Sequence, residues 1–154
     1  MEEYFHAAGA FGVIAGQVVD IESEKNYPEN PQETLEYIHT HKTADLFKLA
    51  LRTGAIIADA SEKEIEEITE FGQNMGVAFQ IADDILDETS TFEEMGKTLG
   101  KDKEAGKLTY TNLYGIEKSR EDLNNLIERC FEILKKNNLK SEVFEEILNK
   151  IKKC

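Results

Sequence analysis

Three aspartates set in an oily run are the residues best placed to do chemistry. In Phe79-Gln80-Ile81-Ala82-Asp83-Asp84-Ile85-Leu86-Asp87, Gln80, Asp83, Asp84 and Asp87 stand at i, i+3, i+4 and i+7. That spacing predicts one continuous polar stripe on a helix. Phe79, Ile81, Ala82, Ile85 and Leu86 take the other faces, where neighbouring helices can cover them. A helix apolar on most sides is expected to be buried, and buried carboxylates must be paired or bound to a metal. The competing expectation is a solvated acidic edge, the usual fate of so short a pattern.

The surrounding segments supply partners for that stripe. Met1 to Ile21 predicts a helix with Gly9, Gly12, Gly16 and Asp20 near one face. Each glycine weakens a helix by about 1 kcal/mol against alanine, so several together point to a close helix–helix approach. Gln17 and Asp20, three apart, put polar groups on its last turn. A polar loop, Glu22 to Pro31, carries both prolines. Helical spacing then resumes from Gln32 to His41 and from Lys42 to Ala58, with a break expected near His41. Lys42 and Thr43 would open the second piece, where free amides and the helix dipole favour an anion. His39 and His41, two apart, fall on different faces and are expected at the surface or in a cap. Ser61-Glu62-Lys63-Glu64 matches a capping box, opening a helix that runs to about Glu88.

Thr89 to Tyr110 breaks the helical pattern. Gly96, Gly100 and Gly106 punctuate a stretch bearing Lys97, Lys101, Lys103 and Lys107. Such a stretch suits either a solvated loop or a basic lid over an anion held at the aspartates. Two further amphipathic helices are expected over Thr111 to Lys136 and Ser141 to Lys153, joined at Asn137-Asn138. No strand is expected, and the fold class is all-α, with helices packed side by side.

The 154 residues include 31 acidic and 18 basic side chains, a formal net charge of −13. That charge argues against a general attraction to nucleic acid or anionic membrane, while leaving room for a local basic pocket. The expectation is one helical domain over residues 1–154. Only two cysteines are present, Cys130 and Cys154, which offers no disulfide framework and suits a reduced, cytoplasmic setting. No apolar run is expected to reach the roughly 20 residues of a membrane span, and no signal peptide is expected from the layout of the first residues.

Together the motifs resemble those of the trans-isoprenyl diphosphate synthases, the farnesyl and geranylgeranyl diphosphate synthase family. Gly12 to Asp20 is similar to that family's GxxxGQxxD helix, and His41-Lys42-Thr43-Ala44 to its lysine–threonine motif. Phe79 to Asp87 resembles its second aspartate-rich motif. Gly96 to Asp102 and Gly106 to Thr109 resemble the basic loop that follows. The resemblance covers Gly9 to Tyr110 well and the last two helices loosely. Thr111 stands where many relatives have proline. The family's first aspartate-rich motif has no counterpart, so the chain looks like the C-terminal half of an isoprenoid synthase fold.

What the resemblance implies is head-to-tail prenyl transfer, between an allylic diphosphate and isopentenyl diphosphate, with magnesium as cofactor. Asp83, Asp84 and Asp87 would hold Mg2+. Lys42, Lys97 and Lys107 would contact the allylic diphosphate, with Thr43 and Gln80 alongside, and Asp20 would support the site rather than touch substrate. Phe79 and Gln17 would line the cavity near the prenyl chain and second substrate. With one motif absent, no transferase activity is expected from this chain alone. A regulatory or structural subunit paired with a complete synthase, and an inert helical fragment, are the alternatives. Half a helical core would expose apolar faces, so a homo-oligomer or a pairing with a chain supplying the N-terminal half is expected.

Overall fold

The computed structural model describes residues 2–89, 107–139 and 141–154. Every element among them is helical. Helix α1 (Glu2–Ala8) is followed by a turn at Gly9–Gly12 and by α2 (Val13–Lys25). Next come α3 (Pro31–Ile38), a π-helical turn (His39–Ala44) and α4 (Asp45–Ile57). The long helix α5 (Glu62–Thr89) leads to the short α6 (Tyr110–Tyr114), then α7 (Ile116–Lys136) and α8 (Glu142–Lys152).

Local chemistry accounts for the boundaries. At the start of α5 the capping box forms as expected: Ser61 N donates to Glu64 Oε2 at 2.8 Å, and Glu64 N to Ser61 Oγ at 3.4 Å. Ser141 caps α8 by accepting from Phe144 N at 3.3 Å. The single helix expected over Thr111 to Lys136 is instead two, because Gly115 adopts φ +80, a backbone region open chiefly to glycine. The first long helix also differs from expectation, breaking at Gly9–Gly12 and continuing to Lys25.

Helix α5 forms the spine. Its buried Phe71, Met75, Ala78 and Ile85 join Leu123, Ile127, Cys130 and Leu134 of α7 and Leu148 and Ile151 of α8 in one apolar core. Full burial of each large side chain contributes roughly 1.5–3 kcal/mol. A smaller cluster, Leu35, Ile38 and Leu108, seats α3 beneath α2 and α6. Helix α1 is tied to α4 through Arg52, whose Nε donates to Glu3 Oε2 at 2.7 Å and whose Nη1 donates to Thr69 at 2.7 Å. The guanidinium holds the Glu3 carboxyl below the usual carboxylate range.

The stretch Glu3–Lys25 corrects one expectation. By length and composition it is apolar enough to cross a membrane. Only 17% of its apolar window is buried, although Gly16 meets backbone and Asp20 is 5% exposed. Its outward face leaves Phe11, Ile14, Val18 and Ile21 in contact with solvent.

Candidate functional site

Of the predicted site residues, Lys42, Thr43 and Gln80 meet at the π turn, with Asp20 beside them. No helix starts at Lys42. Backbone angles stay right-handed from Ile38 to Asp45, and Asp45 N donates to Thr40 O, five residues back. The free amides expected at Lys42 and Thr43 are therefore absent, and anion attraction there rests on side chains. A π turn fits one extra residue into the coil and recurs at functional sites. Here the widened turn fans six consecutive side chains towards different neighbours.

Two glycines make room for it. A Cβ on Gly16 of α2 would lie 2.2 Å from Lys42 N, and one on Gly76 of α5 would lie 2.5 Å from Ala44 Cα. Of the glycine seam expected from the sequence, Gly16 admits the backbone of the turn, whereas Gly9 and Gly12 lie in the break before α2 and meet the backbone of Phe5 and Ala7. Each polar residue of the turn is then engaged. Thr40 accepts from Gln73 Nε2 at 3.1 Å. His41 Nδ1 lies 2.8 Å from Asp45 Oδ2, whose other oxygen takes Lys48 at 2.7 Å. Lys42 Nζ donates to the buried Asp20 Oδ2 at 2.6 Å. Thr43 Oγ1 donates to Gln80 Oε1 at 2.9 Å. An ammonium has three donors and an amide nitrogen two, so Lys42 and Gln80 keep N–H groups to offer a ligand.

The aspartate stripe divides. Asp84 is partly buried, its Oδ2 accepting from Tyr110 N at 2.7 Å. Asp83 is exposed, and its charge helps raise the Cys154 thiol pKa, after burial of that thiol. Asp87 is half-buried. Phe79, expected under a neighbouring helix, is 44% exposed, with its ring 5.9 Å from that of Phe47. Gln17 is exposed on α2. Lys107 Nζ lies 3.7 Å from Glu24 Oε1. Lys97 and its lysine neighbours lie outside the described residues.

Among the described residues, no three His, Cys, Asp or Glu side chains converge closely enough to hold a metal ion. Magnesium does not require such a cage. It retains waters and takes one or two carboxylates together with substrate phosphate oxygens, a donor set that does not need all three aspartates to converge. A cavity of ≈ 620 Å³, lined by His39, Asn74, Tyr110 and Asp122, contains none of the predicted site residues.

Sequence reasoning missed His39 and Tyr110. His39 is 5% exposed, not superficial. Its Nε2 stands 3.5 Å from Asp84 Oδ2, and its ring stacks on Tyr110. The signal was available: Leu35, Ile38 and His39 stand at i, i+3 and i+4, the spacing of one buried face. Tyr110 OH donates to Asp122 at 2.9 Å. Burial, then that hydrogen bond, moves the phenol above its ordinary pKa of 10.0.

Known proteins resemble the chain in sequence and in fold. It is 49% identical over 127 residues to a heterodimeric geranylgeranyl pyrophosphate synthase large subunit of Arabidopsis thaliana, covering 82% of this chain and 34% of that protein. It is 40% identical to a geranylgeranyl diphosphate synthase of Cyanophora paradoxa, covering 82% of this chain and 42% of that protein. A Helicobacter pylori geranyltransferase, solved with magnesium and isoprenyl diphosphate, superposes with TM-score 0.77 at 32% identity. That match covers 97% of this chain and 48% of the other. The chain thus spans less than half the length of each of these relatives. Its residues 3–151 match the polyprenyl synthetase family, and the chain belongs to that family.

Proposed function

We propose that the chain forms one wall of a magnesium-dependent site at which an allylic diphosphate is condensed with isopentenyl diphosphate. The observation that carries this reading is the pair of clamps across the π turn, Asp20–Lys42 and Thr43–Gln80. Three motifs distant in sequence meet there and leave N–H donors beside a carboxylate-bearing helix. Lys42 supplies a compact positive charge for a diphosphate oxygen, oriented by Asp20. Lys107 and Lys97 would add further positive charge. Asp83, Asp84 and Asp87 are the residues that would hold magnesium. When bound, magnesium supplies Lewis-acid neutralisation of the charge developing on a departing diphosphate. Phe79 and Gln17 offer apolar and amide surface to the prenyl chain and the second substrate.

The chain, taken as one helical domain, is expected to bind without turning over. Titration of the purified chain with inorganic pyrophosphate in the presence of magnesium should show binding that Lys42→Ala and Asp83→Asn each weaken at least tenfold. Wild-type affinity in both variants would overturn the site. Product formed from an allylic diphosphate and isopentenyl diphosphate by the chain alone would overturn the claim of one wall.

A second reading has its own support. The outward apolar face of α1 and α2 includes Phe5, Phe11, Ile14 and Val18, and one relative is named as the large subunit of a heterodimer. On this reading the chain pairs with a synthase chain, or with itself, through that face. Sedimentation should then show a species larger than a monomer, and Phe11→Asp with Ile14→Asp should return it to one. The free cysteines suit a reducing compartment such as the cytoplasm.

A further inference from the structure

Both contacts that Asp84 makes with described residues fall on one oxygen. Tyr110 N donates to Oδ2 at 2.7 Å, and His39 Nε2 stands 3.5 Å from the same atom. Among the described residues Oδ1 has no such partner. A carboxylate rotor is broad and nearly two-fold, so without restraint either oxygen could face outwards. The Tyr110 N hydrogen bond to Oδ2, with His39 Nε2 standing over the same atom, sets that choice and leaves Oδ1 for a cation or a water.

His39 is built to hold its place. Its backbone belongs to the π turn, its ring is 5% exposed, and it stacks on Tyr110 with centroids 5.9 Å apart and planes 17° apart. Tyr110 is anchored in turn through its OH to Asp122, which also takes Lys118 Nζ at 2.8 Å. The turn that presents Lys42 and Thr43 thereby also reaches Asp84, one helical turn beyond Gln80 on α5.

We infer that His39 is a positioning residue for Asp84, setting which carboxylate oxygen is offered to the divalent cation, an inference that rests on the diphosphate-site reading above. Groups that orient a metal's carboxylate ligand typically change metal affinity by about 10–100-fold when lost. A histidine that merely fills space would be replaced without such a loss by another ring.

The test is calorimetric titration of the full chain with Mn2+ at saturating inorganic pyrophosphate, alongside pyrophosphate alone and thermal melting. His39→Phe keeps a ring against Tyr110 and removes Nε2, whereas His39→Gln keeps a polar group at similar reach. The expected result is Mn2+ affinity about tenfold lower in His39→Phe and largely restored in His39→Gln, with metal-free pyrophosphate binding unchanged in both. Wild-type Mn2+ affinity in His39→Phe, or an equal loss in both variants, would overturn the inference. Should His39→Phe fail to melt cooperatively, His39→Gln decides: near-wild-type Mn2+ affinity supports the inference and a tenfold loss overturns it. Asp84→Asn separates the two levels. Wild-type Mn2+ binding that this change does not weaken overturns the site reading and the inference with it. Weakening by Asp84→Asn but not by His39→Phe overturns the inference alone.

Discussion

Helix α5 meets α7 through side chains and meets the π turn through backbone. Towards α7 it sends Phe71, Met75, Ala78 and Ile85 into a shared apolar core. Towards the turn it presents Gly76, so that Ala44 sits where a side chain would otherwise be, with Gln73 and Gln80 bonding to Thr40 and Thr43. An apolar face tolerates changes of shape provided volume is kept. A backbone contact has no rotamer to give, so the glycine face fixes the position of every group on the turn. The core face should set stability alone, and the glycines on either side of the turn, Gly76 of α5 and Gly16 of α2, both stability and ligand binding.

The largest effect should come from Gly16→Ala, whose Cβ would fall 2.2 Å from Lys42 N. It should destabilise by about 3 kcal/mol or more, the upper end of overpacking costs, and should abolish pyrophosphate binding. Ile127→Ala, on the core face, should cost a comparable ~3 kcal/mol while sparing binding at temperatures where the chain stays folded. Denaturant melts paired with calorimetry check both; loss of binding in Ile127→Ala or retention in Gly16→Ala would erase the distinction between the faces.

Asp20→Ala should destabilise by about 2 kcal/mol, as expected for a hydrogen bond to a charged group, less what water restores to the partly exposed Lys42. Gly54, with nothing within 4 Å of its would-be Cβ, provides the opposite sign. Gly54→Ala should stabilise by about 1 kcal/mol, and destabilisation there would show that glycine number rather than placement matters.

Tyr110 gives a pH test of the packing beneath Asp84. Its phenol pKa is raised by burial first and by Asp122 next. The unfolded chain therefore ionises first as pH rises. The associated stability is fully present below about pH 10 and is lost as pH climbs towards the folded-state value. Tyr110→Phe should flatten that alkaline decline; an unchanged slope would show that the phenol is not what titrates.

Much of this architecture was legible in the sequence, for identifiable reasons. The helices α7 and α8 carry unbroken 3.6-residue stripes, and the Ser61–Glu64 box is a local signal read without tertiary knowledge. The close approach at Gly16 was also visible, although its occupant was not, and Gly9 and Gly12 break the helix instead of extending that seam. What hid the π turn is that His39 to Thr43 are polar, so periodicity lapses where the extra residue enters. Leu35, Ile38 and His39 are buried, and then Ala44 and Asp45, a step of five or six that no 3.6-residue template admits. The split of the aspartate stripe was hidden for another reason. Residues three and four apart share a broad face, but Asp84 is claimed by Tyr110, and sequence spacing cannot say which of two adjacent carboxylates a distant backbone N–H will take.

The account stands or falls on the π turn as the place where an anion is received. Amide hydrogen exchange over residues 39–45, with and without magnesium pyrophosphate, measures this directly. The prediction is that the ligand slows exchange most at Ala44 and Asp45, whose amides hold the turn closed, and leaves the core of α7 unchanged. Slowing confined to α7 and α8, or no change across residues 39–45, would contradict it.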